Sequence, residues 1–272
     1  MSASVQALYR YPVKAGAGNR MQEATIGARG FRWDRRWMVV EPDGTFMTQR
    51  AYPRLALVRP EFAEGRLRLH FGATQTGGGE DSVEFGQPGD DADRMEVDVW
   101  GDRVVARRVA SRADRWLSEK LGVECALVFM PDSTSRRMDS EEAGDDTIIS
   151  FVDGHPFLLI GRASLRELNR RLPTPIAMDR FRPNIVIDGV GPFAEDDWER
   201  IRIGDVRFRV VAACTRCSVT TVDQSTGQKG EEPLATLADF RRNDEGKVVF
   251  GRYLVHQSEG RVSEGDEVTI DS

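Results

Sequence analysis

The apolar residues of this chain arrive in short, β-branched runs broken by glycine, proline and aspartate, and that spacing constrains the fold more than any other feature. In the second half Ile185-Val186-Ile187, Ile201–Ile203, Val206–Val211, Val219–Val222, Val248–Val255 and Val268–Ile270 read as strands. In the first half the same reading falls on Ser4–Val13, Leu55–Val58, Leu67–Phe71 and Val97–Val109, the last turning at Gly101-Asp102. Arg36–Gln49 reads as a hairpin about Pro42-Asp43-Gly44. Cys125–Met130 and Phe157–Ile160 read as buried strands. Helices are few: Ser111–Leu121 closed by Gly122, a segment capped by Ser164 and ending at Leu172 before Pro173, and Leu234–Arg242 after Pro233. The balance predicts a mostly-β (α+β) chain of two β-barrel-like domains with a few short helices. The polar stretch Pro131–Asp146 reads as the connection between residues 1–130 and 131–272. Gly72–Asp93, with Gly77-Gly78-Gly79 at its middle, reads as a long solvated loop around a short strand near Val83–Phe85.

Composition excludes several function classes. With 38 basic and 44 acidic side chains the net charge is −6, which argues against a generally basic nucleic-acid binder. No apolar run reaches the ~18 residues of a membrane-spanning helix. The N-terminal segment lacks an apolar core of signal-peptide length, so a cytoplasmic protein without membrane attachment is expected. Three cysteines, Cys125, Cys214 and Cys217, are too few for a disulfide framework or a four-cysteine iron–sulfur cluster.

Cys214-Thr215-Arg216-Cys217 lies between two apolar runs and admits several readings. A thioredoxin-like pair should open a helix, whereas β-branched residues follow here. A structural zinc site needs four ligands, and His70, His155 and His256 are scattered without ligand spacing. One thiolate could instead be a lone soft ligand to a metal whose other ligands come from a cofactor, with the adjacent Arg216 favouring the thiolate. Two buried cysteines packed as small apolar side chains are the commoner outcome, and the tetrapeptide alone favours it.

Other segments carry cationic groups near strand ends. Asp179–Asn184 holds Arg180, Arg182 and Asn184, and Pro183 keeps Arg182 out of helical geometry. Arginine suits a bidentate grip on phosphate, and an asparagine amide can pair with a heterocycle. A surface ion pair and a turn asparagine would serve that hexapeptide equally well. Lys14 before Ala15-Gly16-Ala17-Gly18, and Asp34-Arg35-Arg36-Trp37, add further cations. An acidic chain that gathers such groups can bind a small anion.

Tyr11-Pro12-Val13-Lys14, Asp34-Arg35, Phe181–Ile187, Glu195-Asp196-Asp197-Trp198, Ile203-Gly204-Asp205, Cys214–Asp223, Thr226-Gly227 and Glu232-Pro233-Leu234 occur in the order found in the MOSC-domain family. Nearly the whole chain resembles that family, in particular the branch of the mitochondrial amidoxime-reducing component and its bacterial counterparts. The resemblance implies that Cys217 ligates the molybdenum of a molybdopterin cofactor, which supplies dithiolene sulfurs of its own. It implies that Lys14, Arg35 and Arg36 grip the cofactor, that Arg182 and Asn184 line its pterin, and that Thr215 sits near the metal. Arg216 is then a catalytic group holding negative charge beside the metal, and Cys214 packs behind. His155 stands where a small residue is common and would reach the cofactor and substrate mouth; a solvent-exposed loop histidine is the plainer alternative. Ala15 replaces a common serine, so one phosphate hydrogen bond is expected to be missing.

The implied activity is reduction of N-hydroxylated compounds (amidoximes, hydroxylamines or N-oxides) by oxygen-atom abstraction at molybdenum. With no haem-attachment motif, ferredoxin cysteine set or dinucleotide fingerprint in the sequence, electrons are expected from a separate ferredoxin, flavoprotein or haem protein. The cofactor sulfurases share the domain but add a pyridoxal-phosphate module that this sequence lacks, so no pyridoxal phosphate is expected. A different class also fits: a sulfur-carrier or cofactor-maturation protein that bears a cysteine persulfide, or a protein that only binds the cofactor.

Overall fold

Seven strands close a barrel by hydrogen-bonding in the order Ile185–Asp188, Phe157–Gly161, Val249–His256, Val206–Thr215, Arg200–Ile203, Glu267–Asp271 and Ala3–Arg10, with the last pairing back onto the first. This architecture is seen in a computed structural model that describes residues 2–63, 66–72, 82–138 and 147–271. The Gly77-Gly78-Gly79 centre of the expected loop, and the end of the expected connection at Asp146, lie outside the described residues. Neighbouring barrel strands are antiparallel except Phe157–Gly161 and Ile185–Asp188, which run parallel with Leu159 opposite Ile185. Parallel neighbours need a crossover, and the helix Arg162–Asn169 lies within it.

Alternation explains what fills the barrel. Ile201, Ile203, Val206 and Phe208 point inward and are at most 1% exposed, while the arginines between them face out. Phe157 meets Phe31 and Phe208 edge-on at 4.9 and 5.4 Å. Each such side chain contributes about 1.5–3 kcal/mol when fully buried. The closing strand comes from the opposite end of the chain. Ala3–Arg10 pairs Leu8 with Ile185 and Ala3 with Val268, so a barrel otherwise built after residue 156 is completed by the first ten residues.

Two of the three remaining sheets curl into a half-barrel. Trp37–Val40, Ala126–Phe129, Asp102–Arg108 and Arg94–Val99 form one sheet, and Val58–Ala63, Arg66–Phe71 and Ser82–Gly86 a second. The helix Ser111–Leu121 buries Ala113 and Leu117 against their core of Trp37, Leu69 and Phe129. Gly122 ends it at φ 75°, donating its N–H to Ser118 O, as its place after the last apolar residue predicts. The mostly-β, barrel-based class is the observed one. Among the described residues no helix is long and apolar enough to cross a membrane.

Several local expectations are corrected. Leu55–Val58 is not a strand at its start: Pro53 initiates a 3₁₀ turn over Pro53–Leu57. Val219–Val222 is likewise a 3₁₀ turn over Ser218–Thr221, because Thr220 and Thr221 donate their hydroxyls to the carbonyls of Cys217 and Ser218 at 3.0 and 2.8 Å. Ser164 is inside its helix, and its hydroxyl donates to Glu195 Oε1 at 2.7 Å rather than capping. The hairpin at Gly101 turns one residue early, at Trp100-Gly101, with Val99 opposite Asp102. The turn at Pro42-Asp43-Gly44 forms, but its second arm reaches Val40 only through an isolated bridge at Phe46.

Barrel and half-barrel meet at a corner. Leaving the first strand, the chain passes Arg35 N–H to Tyr11 O at 2.7 Å, Trp37 N–H to Pro12 O at 3.0 Å and Lys14 N–H to Trp37 O at 2.7 Å. A cleft opens beside this seam.

Candidate functional site

The cleft has a volume of about 460 Å³ and is walled by both barrel and half-barrel residues. Among the described residues six cationic side chains line it (Lys14, Arg35, Arg50, Arg180, Arg182 and Arg216), against one carboxylate, Asp153. In a chain of net charge −6, such a concentration marks a site for an anion.

Tyr11 organises the cationic wall. Two guanidiniums lie over its ring, Arg35 at 4.3 Å and Arg182 at 4.4 Å from the centroid. Its hydroxyl donates to Pro183 O at 3.0 Å, and its N–H to Asp34 Oδ1 at 2.8 Å. Asn184 locks the same corner: its Oδ1 accepts from Arg35 Nη1 at 3.0 Å and its Nδ2 donates to Tyr9 O at 3.2 Å. Burial, partly offset by Tyr11, pulls Arg182 down to about 10, so it stays charged at neutral pH. Both arginines hold left-handed backbones, φ 49° and 56°. Of six such non-glycine residues among those described, four (Ala15, Arg35, Trp100 and Arg182) line this cleft. Strain of this kind concentrates at functional sites.

Lys14 enters from the seam. Its ammonium, almost fully buried, donates to Phe151 O at 2.8 Å and Asp153 Oδ1 at 2.5 Å. Burial pulls this lysine below its usual range, and Asp153 opposes the shift. Asp153 faces the open cleft, its side chain 70% accessible. Enclosure by the walls opposes its ionisation, but Lys14 and the Trp100 indole N–H, 2.9 Å away, overcome this and hold the carboxyl below the usual range.

The two cysteines of the pair have opposite environments. Val206–Thr215 runs four residues beyond the expected strand and carries Cys214 into the wall, where burial raises its thiol despite Arg216 and a Tyr253 hydrogen bond. Cys217 lies past the strand end and is exposed at the cleft. The packed, apolar reading of the tetrapeptide therefore holds for Cys214 alone. Among the described residues no cluster of three or more His, Cys, Asp or Glu could hold a metal. A metal at Cys217 would need most of its ligands from a cofactor, and one exposed thiol facing six cations fits a soft metal on an anionic carrier.

Residues 2–124 match the family described as the MOSC N-terminal beta barrel domain, and residues 146–269 match the MOSC domain. The chain belongs to the MOSC family. This MOSC protein is 35% identical to mitochondrial amidoxime-reducing component 1 of Mus musculus over 98% of its own length and 82% of that protein. The Homo sapiens protein of that name is 34% identical over the same shares. A molybdenum cofactor sulfurase of Danio rerio is 34% identical over 94% of this chain, which spans only 32% of that longer protein.

In this MOSC chain the fold brings Lys14, Arg35, Arg182, Asn184, Thr215, Arg216, Cys217 and His155 to one cleft. Arg36 is not among them, which corrects the sequence expectation. Its side chain is held elsewhere, where Nε donates to Met130 O at 2.9 Å and Nη2 to Asp132 Oδ1 at 2.7 Å. Arg216 lines the cleft and is anchored there. Its guanidinium donates to the carbonyls of Phe250 and Phe181 at 2.8 and 3.2 Å, so its hydrogen bonds brace the turn. His155 is neither free nor fully exposed: its ring stacks on Tyr253 at 4.3 Å, and burial lowers it to about 4. Sequence reasoning gave no role to Tyr11, Trp100 or Tyr253. Tyr11 stands within the Tyr11–Lys14 motif; nothing local marks Trp100 or Tyr253.

Proposed function

We propose that this protein is a molybdenum-cofactor-dependent reductase of N-hydroxylated compounds. The observation that carries the reading is Cys217, an exposed thiol facing the cationic cleft with no competing metal-ligand set among the described residues. Its relationship to the amidoxime-reducing components supports the substrate class. When bound, the cofactor supplies a two-electron centre able to accept an oxygen atom from an N–O bond.

The chain's own residues do the holding. Lys14, Arg35 and Arg182 bind the cofactor's phosphate and pterin by charge-assisted hydrogen bonds. The Cys217 thiolate is the protein's ligand to molybdenum. Cys214, Tyr253 and Arg216 keep the turn at fixed depth, so Cys217 stays aimed at the cleft. His155, neutral at pH 7, presents a ring nitrogen that can accept a hydrogen bond from a substrate N–OH without adding charge. Electrons come from a separate redox protein.

The test is protein made in cells with an intact cofactor pathway. About one molybdenum per chain and benzamidoxime reduction driven by reduced methyl viologen are expected. Stoichiometric metal without turnover would leave a cofactor-binding protein. A persulfide on Cys217 with no metal would favour the sulfur-carrier class, which the sulfurase relatives also suggest.

A further inference from the structure

The outer face of the barrel carries a second, separate concentration of charge. Strands Arg200–Ile203 and Val206–Thr215 pair so that Arg200 lies opposite Arg209 and Arg202 opposite Arg207. Their inward neighbours Ile201, Ile203, Val206 and Phe208 are buried, so all four arginines share the outward face. Directly opposed like charges destabilise a sheet. None of the four forms an ion pair. Arg202 donates only to Gly204 O and Thr269 Oγ1, at 3.2 and 3.3 Å. Asp271 stands in register with Arg200 on the next strand but makes no ion pair with it, and Asp205 sits at the hairpin turn. Arg202, Asp205 and Arg207 line a shallow depression with Gln257 and Ser258.

We propose that this arginine quartet is the docking surface for an acidic protein, the electron donor that the reductase reading requires. The surface itself rests on the pairing register; only the donor's identity as a redox protein rests on that reading. Planar guanidiniums in two opposed rows match carboxylates of a partner bidentately, and arginine is enriched at protein interfaces. A protein fits better than a lipid surface, because the exposed neighbours Gln257 and Ser258 are polar and no aromatic wedge accompanies the arginines. Placement suits electron delivery. The strand bearing Arg207 and Arg209 ends at Thr215, two residues before Cys217. Six residues from Arg209 to Thr215 span about 20 Å. An interface of about 800 Å² per partner is roughly 30 Å across, enough to cover quartet and strand end together.

The test compares the cofactor-loaded wild type with Arg202→Glu/Arg207→Glu and with Arg112→Glu/Arg115→Glu, which makes the same charge change on the helix Ser111–Leu121. The probe is a small acidic [2Fe–2S] ferredoxin, its binding followed calorimetrically at low and at 0.3 M salt. We expect the barrel variant to bind at least tenfold more weakly than wild type, the helix variant to bind as wild type does, and salt to weaken wild-type binding. Equal binding by all three proteins overturns the proposal, as does absence of binding to wild type. So does arginine-dependent sedimentation with phosphatidylcholine–phosphatidylserine vesicles in place of ferredoxin binding. Viologen-driven benzamidoxime turnover is measured alongside and should be equal in all three. Selective loss of ferredoxin binding in a chain without that turnover keeps the surface and overturns the reductase reading; full turnover with unselective binding does the reverse.

Discussion

Lys14 and Asp153 meet at 2.5 Å across 139 residues of sequence, the ammonium buried in the seam and the carboxylate facing the cleft. The asymmetry predicts unequal mutants. Asp153→Ala leaves a buried ammonium short of its counter-charge and should cost about 1–3 kcal/mol in urea unfolding. Lys14→Met fills the same space, removes the charge that burial penalises, and should cost less. If Lys14→Met is the more destabilised of the two, the lysine is held by contacts other than this pair.

The exposure difference between the cysteines is directly measurable. In metal-free, folded protein, iodoacetamide should label Cys217 well before Cys214 or Cys125, both of which are buried. In cofactor-loaded protein Cys217 should be protected, Cys217→Ala should lose nearly all bound molybdenum, and Cys214→Ala should keep a substantial part. Faster labelling of Cys214, read by mass spectrometry, would reverse the ligand assignment.

Arg182 combines a charge with a strained backbone, and two variants separate them. Arg182→Ala and Arg182→Gly both remove the guanidinium, so both should lower cofactor affinity roughly ten- to hundredfold, the equivalent of about 1.5–3 kcal/mol. Glycine accepts φ 56° without a Cβ penalty, so Arg182→Gly should be about 1 kcal/mol more stable than Arg182→Ala. Equal stabilities would show that this backbone stores no strain. Full cofactor occupancy under limiting supply would move the anion site elsewhere.

Acid sensitivity should follow the buried imidazole. His155 drops from an ordinary 6.5 to about 4 on folding because burial disfavours its charged form. Between those values the unfolded chain binds a proton that the folded chain does not, so stability rises with pH through this window and is lost as pH falls. His256, lowered by burial too, acts in the same direction. His155→Gln should therefore lose less stability than wild type between pH 7 and pH 5. An identical loss in urea titrations would mean that the folded chain already protonates His155 by pH 5.

Elements whose partners are close in sequence were the legible ones. Ser111–Leu121 could be delimited because its apolar spacing, and the glycine that ends it, act within one helix. The 3₁₀ turns at Pro53–Leu57 and Ser218–Thr221 look like strands by residue type, and hydrogen bonds from a proline-started turn and threonine hydroxyls override that preference. At the site, motif residues pointed to Lys14, Arg35, Arg182 and Cys217. They also suggested Arg36, because adjacency in sequence says nothing about which side of the backbone a side chain leaves from.

By itself the sequence determined that this chain would be built of short strands, and that cations and a cysteine pair sit near their ends. Those are properties of residue type and local spacing, set by burial and hydrogen-bonding preferences over a few residues. Only the tertiary structure decided that Ala3–Arg10 closes a barrel begun at residue 157, that Arg36 lies outside the cleft, and that Asp153 meets Lys14. Each depends on strand register and on how two sheets meet at a corner. A shift of one residue in register turns every side chain of a strand to the other face, and what selects the register is packing between segments more than a hundred residues apart.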